Sequence, residues 1–468
     1  MAIAVSSVAV SSVSLAWFRR DLRLMDNPAW ATATASKQVV PIVVIQPALL
    51  NAAGPWRKQA YLQALAGLEQ SLTTVGGGLW VEVGNPTEVL RQIVHEVDAQ
   101  QVTTNADVTR WSTNRDQQVA ASLPVPLTAH WGTMVHPPGR VLTAQGTLSR
   151  VFTPFYKTWA QIPLPDETQP TPTEVLTPPK ERTLVHVLGC LGSDVPAPWS
   201  EQDALGQLNG WQQEVDNYQE NRNLPAIAGT SELSTALRFG LLSPRYVMAQ
   251  IGTRTPGRSG FVRQLAWRDW YAHLTAEHPN IAEVALRPSY DQIAWRSGAS
   301  ADADFVAWRD GQTGYPIVDA GMRQLAATGW MHNRVRMITA SFLVKDLLVD
   351  WRQGERWFRH MLTDGEIAQN AGNWQWVAGT GPDAAPYFRI FNPITQSKRF
   401  DPQGEYLRRW LPELAQLNNS DIHAPWQASP LDLAAANVTL GHTYPMPIVD
   451  HAQARQRTIT AYKTALNT

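Results

Sequence analysis

The hydrophobic pattern changes character along the chain. Between residues 13 and 135, short apolar runs alternate with amphipathic stretches. Residues 13–18 (VSLAWF), 39–45 (VVPIVVI) and 79–83 (LWVEV) read as strands, with 101–105 (QVTTN) a weaker one. The 39–45 run is apolar throughout, the pattern of a parallel strand buried on both faces. Residues 57–72 and 87–97 space their apolar side chains by three and four, which predicts helices. Strand alternating with helix predicts an α/β domain on an open parallel sheet, Rossmann-like in architecture. Beyond Gly210 the strand pattern fades. Residues 320–328, 335–352 and 356–362 carry helical periodicity broken by Gly and Pro turns, so an all-α domain is expected.

Between the two lies a proline-rich stretch. Residues 163–198 hold eight prolines, at 163, 165, 170, 172, 178, 179, 196 and 198. Proline fixes φ and lacks an N–H, so a long irregular connector is predicted, with no regular helix or central strand. The expected division is an α/β domain over 1–135 (residues 1–12 a disordered tail), a connector over 136–212, and a helical domain over 213–468. The run Gly76-Gly77-Gly78 precedes a strand. A phosphate-binding glycine loop follows a strand and opens a helix, so this run is a turn.

Composition narrows the function. The 468 residues carry 39 Lys plus Arg against 40 Asp plus Glu, a net charge of -1. That balance excludes a polybasic coat; a nucleic-acid partner would have to meet a local basic patch. The single cysteine, Cys190, excludes an intrachain disulfide and any cysteine-built zinc or iron–sulfur site, and no metal site is expected. No apolar run approaches the ~20 residues of a membrane helix. The N-terminal MAIAVSSVAVSSVSL lacks a charged n-region, so it reads as a tail rather than a secretion signal, and a cytoplasmic protein is expected. The outlier is 20 tryptophans, whose large rings want burial and whose N–H groups want partners. They point to an aromatic core, a stacking site or an electronic role.

Four clusters carry candidate chemistry. GTSELS (229–234) is first an N-cap; its surplus hydroxyls could alternatively hold a phosphate. In WMHNRVRM (330–337), Asn333 and Arg336 share a helical face, while His332 alone reads as a structural histidine. DGEIAQN (364–370) sets two carboxylates and an amide ahead of Trp374-Gln375-Trp376, which predicts burial and pairing with an arginine. From Trp376 to Gln396, with Arg389 inside and Lys398 and Arg399 nearby, basic groups interleave with aromatics, which suits a phosphate backbone and an unstacked base, or a salt-bridged aromatic core. From the residues alone, the best reading is a two-domain nucleotide-binding enzyme, an electron-transfer flavoprotein.

WFRRDLRLMDNPA, GTSELS, GYPIVDAGMRQL, TGWMHNRVRMITASFLVKDLL, DGEIAQNAGNWQW and DAAPYFRIFNPITQSKRFDPQGEY occur in that order along the whole chain. Together they resemble the cryptochrome/photolyase family, nearest its bacterial class I cyclobutane-pyrimidine-dimer photolyases. The resemblance implies one non-covalent FAD. Tyr218, Thr230, Ser231, Glu232, Leu233 and Ser234 would hold its phosphates and ribitol, and Asn333, Arg336, Asp364, Gly365, Glu366 and Asn370 its ring and ribose. It implies a lesion and DNA surface of Arg222, Gln264, Trp267, Arg268, Tyr271, Asn333, Arg334, Met337, Trp376, Arg389 and Gln396. It also implies an electron-transfer chain of Trp295, Trp351 and Trp374. The implied partner is UV-damaged DNA containing pyrimidine dimers, met by a monomer. The implied reaction is light-driven opening of a flipped-out dimer, formally a lyase step.

The chain leaves the class I pattern at Gln264, where Glu is usual, and at Glu366, where Asp is usual. Trp111-Ser112 stands where a folate-type antenna site would read Asn-Glu. A second antenna chromophore is therefore expected to be 8-hydroxy-5-deazaflavin or methenyltetrahydrofolate, or to be missing. Two other readings stay open, a blue-light receptor (cryptochrome) of the same fold and a (6-4) photolyase. A receptor would be expected to extend well past the last motif, and a (6-4) enzyme to replace Asn333 with a second histidine.

Overall fold

A computed structural model describes residues 12–467. The tail expected over 1–12 lies outside the described residues except for Ser12. Strands β1 (Val13–Phe18), β2 (Gln38–Ile45), β3 (Trp80–Val83), β4 (Ala99–Asn105) and β5 (Leu127–His130) form one parallel sheet in the order β3-β2-β1-β4-β5. β1 is buried along its whole length and β2 at every position but Gln38, as their continuous apolar runs require. Each face of the sheet has its own core. Leu15, Trp17, Val40 and Ile42 pack under the crossover helices with Ile93 and Val119. On the other face Ala16, Phe18, Val39 and Val43 belong to a core that continues through Leu65 into Phe261, Leu265 and Trp270 of the helix Pro256–Glu277. The α/β and helical halves are therefore joined by shared apolar packing.

The proline-rich stretch is less irregular than its composition predicts. Glu174–Val175 forms a short parallel strand, β6, against Gln38 and Val39, and Leu184–Cys190 is a helix capped by Thr183. The helix is possible because the sequence is free of proline between Pro179 and Pro196. A second correction concerns residues 335–352, whose periodicity predicts one helix. The helix Asn333–Ser341 instead widens into a π turn at Phe342–Asp346 and stops. Leu348 follows at φ +53, and Asp350 caps a new helix, Trp351–Met361, by accepting from the Arg352 N–H. Both helices bury their apolar stripes in one core, so the periodicity runs through the break. No helix among the described residues is long and apolar enough to cross a membrane.

Candidate functional site

The site is built around the helix Asn333–Ser341 and the loop 362–366. Arg336 donates from Nη1 and Nη2 to the two carboxylate oxygens of Asp364, at 3.1 and 2.9 Å, and from Nε to the Met331 carbonyl at 2.7 Å. This bidentate pair fixes the loop against the helix. One turn earlier Asn333 is exposed, its NH2 lying 3.9 Å from Met337 Sδ. Asn370, on the helix Ile367–Ala378, is buried and spends its NH2 on the Glu355 carbonyl (2.8 Å) and carboxylate (3.0 Å). Its Oδ1 is the end left for a ligand.

The GTSELS hydroxyls do not cap their helix. The helix Ser234–Phe239 begins at Leu233 with no side-chain cap. Ser231 Oγ accepts only from the Leu233 N–H, at 3.3 Å, and Glu232 sits at φ +53 with its side chain exposed. Thr230 and Ser231 stay half-buried, and no cap consumes their hydroxyls. Tyr218 closes this end, its ring 5.8 Å from Trp211 and 5.7 Å from Phe261, with the Arg222 guanidinium above it. Among the described residues no group of His, Cys, Asp and Glu could hold a metal ion.

Glu366 and Arg268 lie within ion-pair distance of each other. Glu366 is 6% exposed and accepts from Arg20, at the end of β1, at 2.6 Å, with Arg268 at 3.8 Å. Burial alone would push this carboxyl up, but the guanidiniums of Arg20, Arg268 and Arg238 outweigh it and hold it below the usual range. Arg268 also donates to the Thr133 and Leu237 carbonyls. These contacts tie the two halves of the molecule together.

A groove of about 590 Å³ opens along the helix Asn333–Ser341, lined by Arg334, Met337, Trp376, Arg389 and Gln396 with Arg399 and Phe400. Arg334 lies 4.5 Å over the Phe400 ring and donates to Asn223 Oδ1. Its pKa is lowered by burial and then by Arg222, Arg399 and Arg389, so four guanidiniums converge here. Such a convergence is repulsive until an anion arrives. Gln264, Trp267 and Tyr271, expected at the lesion, are not among the residues that line this groove. Gln264 spends its NH2 on the Gly260 carbonyl one turn back, at 3.0 Å, and Trp267 stacks on Phe152 at 3.6 Å. Tyr271, 4% exposed, is core, because its ring fills the space beside Gly372.

Trp351 and Trp374 are buried in one core, with Trp295 packed at its edge. Gly354 makes room for the Trp374 ring, since a Cβ there would stand 2.2 Å from Cη2. The ring neighbours of Trp374 are Phe358 at 5.0 Å and Trp308 at 6.3 Å. A second cavity, about 550 Å³, lies between the halves beside Asp107, Arg110, Trp131 and Asn280. Trp111, next to it, is held against the Arg115 guanidinium at 4.9 Å, and Ser112 is buried on Thr109.

Two family models match this chain, that of DNA photolyase over residues 14–176 and that of the FAD-binding domain of DNA photolyase over 261–464. The chain belongs to the DNA photolyase family. It is 38% identical over 480 residues to the deoxyribodipyrimidine photo-lyase of Agrobacterium fabrum, covering 97% of this chain and 98% of that one. The Escherichia coli deoxyribodipyrimidine photo-lyase is likewise 38% identical, over 483 residues, with 96% and 98% covered. Among solved structures, the class III photolyase of Agrobacterium tumefaciens matches with a TM-score of 0.90 at 36% identity, over 100% of both chains. The Synechocystis cryptochrome matches at 0.87 and 30%, over 96% of this chain and 99% of that one. An archaeal photolyase from Sulfolobus tokodaii, solved with two FAD molecules, matches at 0.83 and 30%, over 97% and 100%.

Sequence reasoning about this photolyase-family chain missed three residues of the site. Arg20 lay inside the quoted WFRRDLRL motif, but nothing local says that its guanidinium crosses to Glu366. Glu355 and Trp308 carried no sequence signal, because their roles come from contacts with Asn370 and Trp374 made across the fold.

Proposed function

We propose that this chain binds UV-damaged DNA and opens cyclobutane pyrimidine dimers in a light-driven reaction that uses bound FAD. One observation carries the reading. A single helix, Asn333–Ser341, offers Arg334 and Met337 to the arginine-lined groove and Arg336 to Asp364, with Asn333 beside Met337 between them. A base drawn out of a duplex into the groove would thus lie next to a flavin held beside Arg336 and Asp364 on the adjoining face of the same helix.

The donor set fits FAD. The uncapped hydroxyls of Thr230, Ser231 and Ser234, with Tyr218 and Leu233, would hold the diphosphate and ribitol. Asn333, the Arg336–Asp364 pair, Gly365 and Asn370 Oδ1 would surround the ring and ribose. When bound in its reduced form and excited by light, FAD supplies an electron that returns after the ring has opened. Arg222, Arg334, Arg389 and Gln396 would hold the DNA strand, and Met337 and Trp376 would give the extruded dimer an apolar wall. Flipping costs a few kcal/mol and least for a poorly stacked lesion, which favours damaged sites. Trp374, Trp351 and Trp295 would return electrons to an oxidised flavin. Glu366 and Arg268 would act by locking the two halves together. For a second chromophore, the cavity beside Trp111 and Trp131 is the candidate site. The chain would act in the cytoplasm as a monomer.

The deciding test is purified protein with dimer-containing oligonucleotides, in the light and in the dark. Restored thymine absorbance in the light alone supports the proposal. Flavin binding without repair would favour a receptor, and repair confined to (6-4) photoproducts would favour that enzyme.

A further inference from the structure

His332 is 2% exposed and caps the helix Asn333–Ser341, its Nδ1 accepting from the Arg334 N–H at 3.1 Å. A ring nitrogen that accepts carries no hydrogen, so in the neutral ring the hydrogen is on Nε2. That Nε2 is buried and has no hydrogen-bond partner in the protein. Burial, and after it the charges of Arg334 and Arg336 that face it, hold the imidazole neutral by lowering its pKa to about 4. Both Asp364 oxygens and the carbonyl of the preceding residue, Met331, take Arg336. A buried donor without a protein partner needs an acceptor from outside the chain.

We propose that the Nε2–H of His332 donates a hydrogen bond to an acceptor atom of the bound flavin nucleotide. This assignment rests on the flavin reading of the Asn333–Asn370 face. The same imidazole would then serve twice, one nitrogen starting the helix that presents Asn333 and Arg336, the other holding the nucleotide those residues face.

Two substitutions separate the roles. His332→Asn keeps a side-chain oxygen able to cap the Arg334 N–H, asparagine being a preferred N-cap residue, but its shorter amide brings no N–H to the position of Nε2. His332→Ala removes both the cap and the donor. Apo-protein would be titrated with FAD by fluorescence quenching, and its thermal unfolding followed without FAD. We expect His332→Asn to keep the wild-type unfolding midpoint within about 2 °C and to weaken FAD binding at least tenfold, whereas His332→Ala lowers both. FAD affinity of His332→Asn within twofold of wild type overturns the proposal and leaves Nε2–H to a buried water. Should the variants not fold, wild-type protein labelled with 15N-histidine decides. The His332 Nε2–H resonance should shift and exchange more slowly on adding FAD, and an unmoved resonance overturns the assignment. Wild-type protein that binds no FAD overturns the flavin reading itself, a result distinct from either.

Discussion

At the scale of single residues, the site is held by charges that have little water. Glu366 is the sharpest case, with Arg20, Arg268 and Arg238 around it. Glu366→Gln should destabilise the protein by about 3 kcal/mol at pH 7, since it strands buried guanidiniums. Because the folded carboxyl titrates below its ordinary value, the contribution is complete above about pH 4.3 and is lost as pH falls through the folded pKa. Urea unfolding of wild type and variant from pH 7 to pH 3 should therefore converge in acid; parallel curves would refute the assignment. Gln264 is the contrasting case. Its NH2 is satisfied within its own helix, so Gln264→Glu should change binding of dimer-containing DNA by less than about tenfold. A larger loss by filter binding would place the side chain in the lesion pocket.

At the scale of elements, close helix contacts decide where aromatic rings sit. Gly354, on Trp351–Met361, lets the Trp374 ring of the neighbouring helix approach its backbone, because a Cβ would meet Cη2 at 2.2 Å and Leu343 Cδ2 at 2.6 Å. Gly372, on Ile367–Ala378, admits the Tyr271 ring in the same way, with Cδ1 at 2.2 Å. Alanine at either site should cost about 1–3 kcal/mol through overpacking. Only Gly354→Ala should also slow photoreduction of oxidised flavin, by displacing Trp374. Equal slowing in both variants, followed by absorbance under blue light, would remove Trp374 from the electron path.

At the scale of the whole molecule, net charge and local charge part company. A chain of net charge -1 gathers Arg222, Arg334, Arg389 and Arg399 at one groove. Binding to dimer-containing DNA should therefore fall steeply with salt, as phosphate contacts release counterions. Arg389→Ala should lower affinity and reduce the slope of log K against log salt by about one. An unchanged slope would put Arg389 off the DNA path.

The sequence by itself determined the parallel sheet, the helical second half and the pairing of Asp364 with an arginine. Each follows from local information. A β-branched run such as VVPIVVI suits a strand in any context, and a carboxylate among apolar neighbours needs a partner when buried. Motif order placed Arg336 beside Asp364 and the arginines along one groove. Other features were decided only in three dimensions. The break at Leu348 is invisible to periodicity, because the helices on both sides bury their apolar stripes in one core. The capping role expected of GTSELS passed to no hydroxyl, since the loop spends its geometry on a left-handed Glu232. Arg268 and Glu366 meet Arg20 at the seam between the halves, and Tyr271 packs against Gly372, contacts that nothing local in the sequence announces. A side chain's type follows from sequence, but the direction it faces depends on which distant backbone packs against its own.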